Sequence, residues 1–159
     1  MLIRFAKGKK NKPDTLTCVR ADGSCTWEPS HVGIKHDLIH YAVETTLGYQ
    51  EAFFGLVAGG RDMSAFGTKN GEKDVYTAEE GWAESIVGLL QWPSVGGGLP
   101  LSDAELLALL TQSCTDAGIP APAVTTKQRG QIRTQVRDLH QRWDELPDGE
   151  ALELFFDAR

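Results

Sequence analysis

The chain reads as an α+β fold, a small antiparallel sheet of N-terminal hairpin strands and one C-terminal strand packed against about five helices. Three observations predict this. Apolar and polar residues alternate at both ends of the chain, in residues 1–6, 15–20 and 151–156. Between them, apolar residues recur at helical spacing behind N-capping signals. The length, 159 residues, suits one domain with its own core.

In residues 1–6, Ile3 and Phe5 fall on one face, and Leu2 and Arg4 on the other. The segment KGKKNK (7–12) is a solvated basic turn, and Pro13 delays the next strand. Asp22-Gly23 is a hairpin signal. Taken as a two-residue turn, it pairs Cys18 with Trp27 and Arg20 with Cys25. Leu16, Cys18, Cys25 and Trp27 then share the inner face with Ile3, Phe5, Leu152, Leu154 and Phe156. The two cysteines are diagonal neighbours in this register, a poor geometry for a disulfide, and read as small core residues.

A first helix is expected from between Gly33 and His36 to Leu47, with Gly48 closing it. A shorter helix follows near residues 50–58, where Gly55 and Gly59 leave room for a helix crossing. Residues 59–76 read as an exposed loop. Thr77 and Glu80 form a capping box for a helix of about fifteen residues closed by Trp92-Pro93. Residues 94–100 carry three consecutive glycines and read as a connector. They lack the Lys-Ser/Thr of a phosphate loop. Ser102 and Glu105 cap the next helix, which Gly118 ends. Thr125 or Thr126 caps the last one, with Ile132, Val136, Leu139 and Trp143 facing the core. No internal repeat divides the chain, so residues 1–159 are read as one domain.

Hydrophobic residues make up 41% and charged residues 24%, within the globular range. A formal net charge of -6 disfavours nucleic acid and anionic membrane as partners. Three cysteines do not make a secreted disulfide scaffold. The opening MLIRFAKGKK lacks a signal-peptide pattern, and no apolar run approaches the ~18 residues of a membrane span. The expected location is the cytoplasm.

The stretch HDLIHYAVE (36–44) carries the strongest chemical signal. His36, His40 and Glu44 recur every fourth residue, so on a helix they form one stripe. On a helical wheel that stripe borders the apolar arc, between core and water. Two histidines one turn apart can chelate a single ion. Glu44 lies about 12 Å along the axis from His36, too far to share that ion, and is placed behind His40 as a hydrogen-bond partner. His31 and Asp62, and less directly Glu51 and His140, are the candidates for a third ligand. Asp37 stands where the zinc peptidase motif HExxH has its glutamate, and one methylene less changes how it would hold a water. The bland alternative is that both rings bond backbone carbonyls at the helix–sheet junction.

Residues 36–59, HDLIHYAVETTLGYQEAFFGLVAG, resemble a signature of small, uncharacterised bacterial proteins, in which an HDLxHxxVE helix leads into a glycine-spaced aromatic segment. The resemblance spans about a sixth of the chain. It implies a bacterial cytosolic protein and brings no activity, cofactor or catalytic residue with it.

Arg129, Arg133 and Arg137 are four apart on the last helix and could bind phosphate, but interspersed acidic residues make a solvated face the expectation. Two functional readings follow. The first is a non-catalytic module that binds a protein partner or small ligand through residues 36–61. The second is a small enzyme of the hydrolase class, dependent on one divalent ion (zinc, manganese or iron) held by His36 and His40.

Overall fold

A computed structural model describes residues 1–66, 77–96 and 99–158. The fold is α+β. Strands β1 (Leu2–Ala6), β2 (Thr15–Val19), β3 (Cys25–Pro29) and β4 (Ala151–Phe155) form one antiparallel sheet in the order β3-β2-β1-β4. Helices α1 (Ile34–Leu47), α2 (Phe53–Ala58), α3 (Ala78–Gly96), α4 (Asp103–Asp116) and α5 (Thr126–Glu145) lie between β3 and β4 in the chain. No helix among the described residues is long and apolar enough to cross a membrane.

The sheet buries the face expected on β1, β2 and β4. Ile3, Phe5, Leu16, Cys18, Leu152, Leu154 and Phe156 are all buried. The third strand differs by one residue. Cys18 pairs with Thr26 and Val19 with Cys25, so Thr26 points inward, Trp27 is 61% exposed and Cys25 is exposed. The turn explains the shift. Arg20 N donates to Ser24 O at 2.8 Å and Gly23 N to Arg20 O at 3.0 Å, which makes a three-residue loop with Gly23 left-handed at φ 84°. Asp22-Gly23 supplies the end of a type I turn and its bulge, rather than both corners of a two-residue turn. Asp22 Oδ1 fixes it by accepting from Ser24 N at 2.9 Å.

The capping signals place the helix starts. Thr77 with Glu80, Ser102 with Glu105 and Thr125 with Gln128 each form reciprocal capping bonds. Gly48, at φ 74°, closes α1 as expected. α3 runs past Pro93 to Gly96 instead of ending there. Proline removes one amide donor without forcing the chain out of helical angles. The described part of the expected loop over 59–76 contains a 3-10 turn, Met63–Ala65, with Met63 buried; residues 67–76 lie outside the described residues. Residues 97–98 of the glycine-rich connector also lie outside them.

α1 is the centre of the molecule. One side, with Ile34, Leu38 and Ala42, packs on the sheet, α2 and the end of α5. The other, with Ile39 and Val43, packs on α3 and α5, in a cluster that continues through α3 to α4. A helix covered from two directions has little water-facing surface, and this sets the depth of its polar stripe.

The arginine row of α5 is only partly solvated. Arg129 is 8% exposed, with Nε on Asp103 Oδ2 at 2.9 Å and Nη1 on Val124 O at 2.6 Å. Arg133 is half-buried and donates to Leu101 O at 2.7 Å, while Arg137 is exposed. The segment leading into α4 folds over the first two turns of α5 and takes up these charges.

Candidate functional site

His36 and His40 project from α1 to the same side, with ring centroids 4.8 Å apart in an edge-on arrangement. His36 is half-buried, and its Nδ1 meets Gln91 Oε1 of α3 at 3.0 Å. An amide oxygen only accepts, so Nδ1 carries the proton and Nε2 keeps its lone pair. His40 is buried. Its Nδ1 faces Glu44 Oε1 at 3.4 Å, and its Nε2 lies 3.5 Å from Glu84 Oε1 of α3.

Glu44 lies deeper than the helical wheel predicts, at 0% exposure. Its Oε2 accepts the Phe54 amide of α2 at 2.8 Å, and the Gly55 amide also bonds the carboxyl. Gly55 makes this approach possible. A Cβ there would meet Gln50 O at 2.2 Å, so the glycine serves the loop entering α2 rather than a helix crossing. Burial pushes the Glu44 carboxyl up to about 8, against the pull of the two amides. Burial also pushes the His40 imidazole down to about 4. Among the described residues, Glu44 Oε1 and His40 Nδ1 are buried polar atoms without a hydrogen-bond partner.

Glu84 is the acidic group that joins the two rings. His36, His40 and Glu84 each offer one ligating atom, and these lie within 4.8 Å of one another. Ligands at 2.0–2.2 Å from a tetrahedral ion sit about 3.4 Å apart; the His40–Glu84 spacing is 3.5 Å, and the set as a whole, spread over 4.8 Å, would have to draw closer to hold one ion. The donor types suit a divalent transition ion: two imidazoles and one carboxylate, with Nδ1 of His36 engaged by Gln91.

The other sequence candidates lie elsewhere. Asp62 Oδ1 accepts Ser64 N at 2.9 Å and caps the 3-10 turn. His140 Nε2 bonds Lys35 O at 2.9 Å. His31 and Glu51 are exposed and stand outside the cluster. Glu84 was legible only as part of a polar stripe on its own helix. Glu80, Glu84 and Gln91 share a face with Ala83 and Val87, which are too small to cover the opposing histidines.

The cluster opens into a cleft of about 310 Å³ lined by His36, His40, Glu84, Asp37, Arg61 and the rings of Phe53 and Phe66, among others. Asp37 accepts from Ser30 Oγ at 3.0 Å, and burial raises its carboxyl above the usual range. No family model, curated protein or solved structure matches the chain.

Proposed function

We propose that the protein is a small metal-dependent enzyme of the hydrolase class, with one divalent ion (zinc, manganese or iron) bound by His36, His40 and Glu84. The observation that carries this is the shared orientation of the rings. Gln91 engages Nδ1 of His36 and leaves its Nε2 available, Nε2 of His40 lies 3.5 Å from Glu84, and one donor atom from each of the three residues falls within 4.8 Å of the others. Three protein ligands leave a position open toward the cleft, the pattern of catalytic sites. Held there by His36, His40 and Glu84, a divalent ion would supply Lewis-acid chemistry, lowering the pKa of a water or polarising a carbonyl or phosphoryl oxygen. The resemblance of residues 36–59 adds a bacterial, cytosolic setting to the proposal.

A non-catalytic binding module remains the second reading, favoured by Val32, which is 66% exposed on the wall of the same cleft. Elemental analysis of protein purified without an affinity tag separates the two. The enzyme reading predicts about one zinc, manganese or iron per chain, lost in His40→Ala and in the less buried Glu84→Gln while the circular dichroism spectrum is kept. The binding reading predicts negligible metal, with His40→Ala lowering only the melting temperature.

A further inference from the structure

The two edges of the sheet differ. At one end of the β1–β4 pairing, Met1 N donates to Phe156 O at 2.8 Å and Phe156 N to Met1 O at 2.9 Å; beyond the other end, Lys7 N donates to Glu150 O at 2.9 Å. Bonded pairs alternate in an antiparallel ladder. Leu152 and Leu154 therefore bond β1, and the backbone groups of Ala151, Glu153 and Phe155 face the edge. On β3 the bonds from Arg20 N to Ser24 O and from Ser30 N to Asp14 O turn Cys25, Trp27 and Pro29 outward in the same way. Pro29 has no amide hydrogen to offer there, and the Met63–Ala65 turn packs beside β3. β4 holds no proline, and Glu153 is tied to Arg4 of β1 at 3.1 Å, so its charge does not guard the edge. Among the described residues, no strand covers this edge. An open edge of this kind is a template for another strand.

We infer that β4 pairs antiparallel with β4 of a second copy of this chain across a two-fold axis, joining the two sheets edge to edge. The inference is independent of the metal site. Side-chain and backbone chemistry select the register. Glu153 opposite itself would set like charges face to face. Glu153 opposite Phe155 would need Phe155 O, which already accepts from Tyr41 Oη at 2.8 Å. Ala151 opposite Glu153, with the axis beside Leu152, uses the amide and carbonyl of both residues and leaves the Tyr41 bond intact. Charge matches in this register. A groove of about 750 Å³ runs between β4 and α5, lined by Tyr41, Leu139, Arg142 and Leu154, among others. Asp138 shares it but pairs with Arg137 at 3.3 Å, whereas Arg142 is exposed. The register sets Glu150 of the second copy opposite Leu154, and alternation puts that side chain on the helix side, toward the groove that holds Arg142. The axis repeats this contact, so the surface is self-complementary, as a two-fold interface requires.

The test is sedimentation equilibrium of the full chain from about 1 to 200 µM. The wild type should approach twice the chain mass within that range. Glu153→Pro removes an edge amide from each copy but none from the β1 ladder, and should weaken association at least about tenfold with circular dichroism unchanged. Arg142→Glu and Glu150→Arg should each weaken association, and the two together in one chain should restore it, because the exchanged charges meet again across the axis. A wild type that stays monomeric throughout, a dimer indifferent to Glu153→Pro, or a double variant no stronger than the single ones would each overturn the inference. Should Glu153→Pro lose its fold, the charge exchange decides alone.

Discussion

His40 Nδ1 and Glu44 Oε1 stand 3.4 Å from each other in the interior, one helical turn apart, and neither has a hydrogen-bond partner among the described residues. Leaving buried polar groups so loosely paired costs about 1–3 kcal/mol each. Packing alone would favour apolar residues of similar shape at both positions. The arrangement has a use if Glu44 orients the ring and Nε2 of His40 has work to do at Glu84.

The pair gives the metal-free protein a specific pH dependence. Glu44 is raised by burial from 4.5 to about 8, so the folded state holds a proton that the unfolded state releases, and stability falls as pH rises through that window. His40 is lowered by burial from 6.5 to about 4, so its contribution rises with pH between those values. The two oppose each other between 4.5 and 6.5, and only Glu44 acts from 6.5 to 8. Thermal melts in the presence of a chelator should show a decline over that upper window, and Glu44→Gln should remove it. A decline that survives the substitution assigns it to another group.

Gly55 should tolerate no side chain. Gly55→Ala places a methyl 2.2 Å from Gln50 O and pushes α2 away from Glu44. The expected loss is about 1–3 kcal/mol, whereas Gly88→Ala, which meets nothing within 4 Å, should be neutral or stabilising. Urea titrations of both variants make the comparison.

The arginines of α5 should separate by burial. Arg129→Gln abandons Asp103 and the Val124 carbonyl and should cost about 3 kcal/mol. Arg137→Gln should stay within about 0.5 kcal/mol. Similar effects at the two positions, measured by chemical denaturation, would contradict the burial of Arg129 against Asp103 and the Val124 carbonyl.

The thiols should differ in reactivity. Cys25 is exposed on β3, whereas Cys18 is buried and its thiol is pushed up to about 12 by desolvation. Cys114 is buried in the helical core. Native Ellman titration at neutral pH should show one fast thiol, absent in Cys25→Ser, and two that react only on unfolding. Rapid reaction of a second thiol would show the core open.

Local chemistry made much of this fold legible in advance. Alternation placed Ile3, Phe5, Leu16, Leu152 and Leu154 on the inner face, and short-range capping placed the starts of α3, α4 and α5. Trp27 was misplaced because Asp-Gly serves two turn types that differ by one residue in register. Arg129 was misjudged because its partner Asp103 lies 26 positions away. Periodicity brought His36, His40 and Glu44 to one side of α1, but the burial of Glu44 depends on α2 approaching through Gly55. Glu84 was missed because helix packing, not spacing along the chain, brings α3 to α1.

Long-range proton–nitrogen NMR of the histidine rings during zinc titration tests the central claim most directly. The account predicts that one equivalent of zinc shifts Nε2 of both His36 and His40 to the metal-bound range, with Nδ1 protonated in each, and that Glu84→Gln weakens this response. Rings left unperturbed by zinc, or coordination through Nδ1, would contradict it.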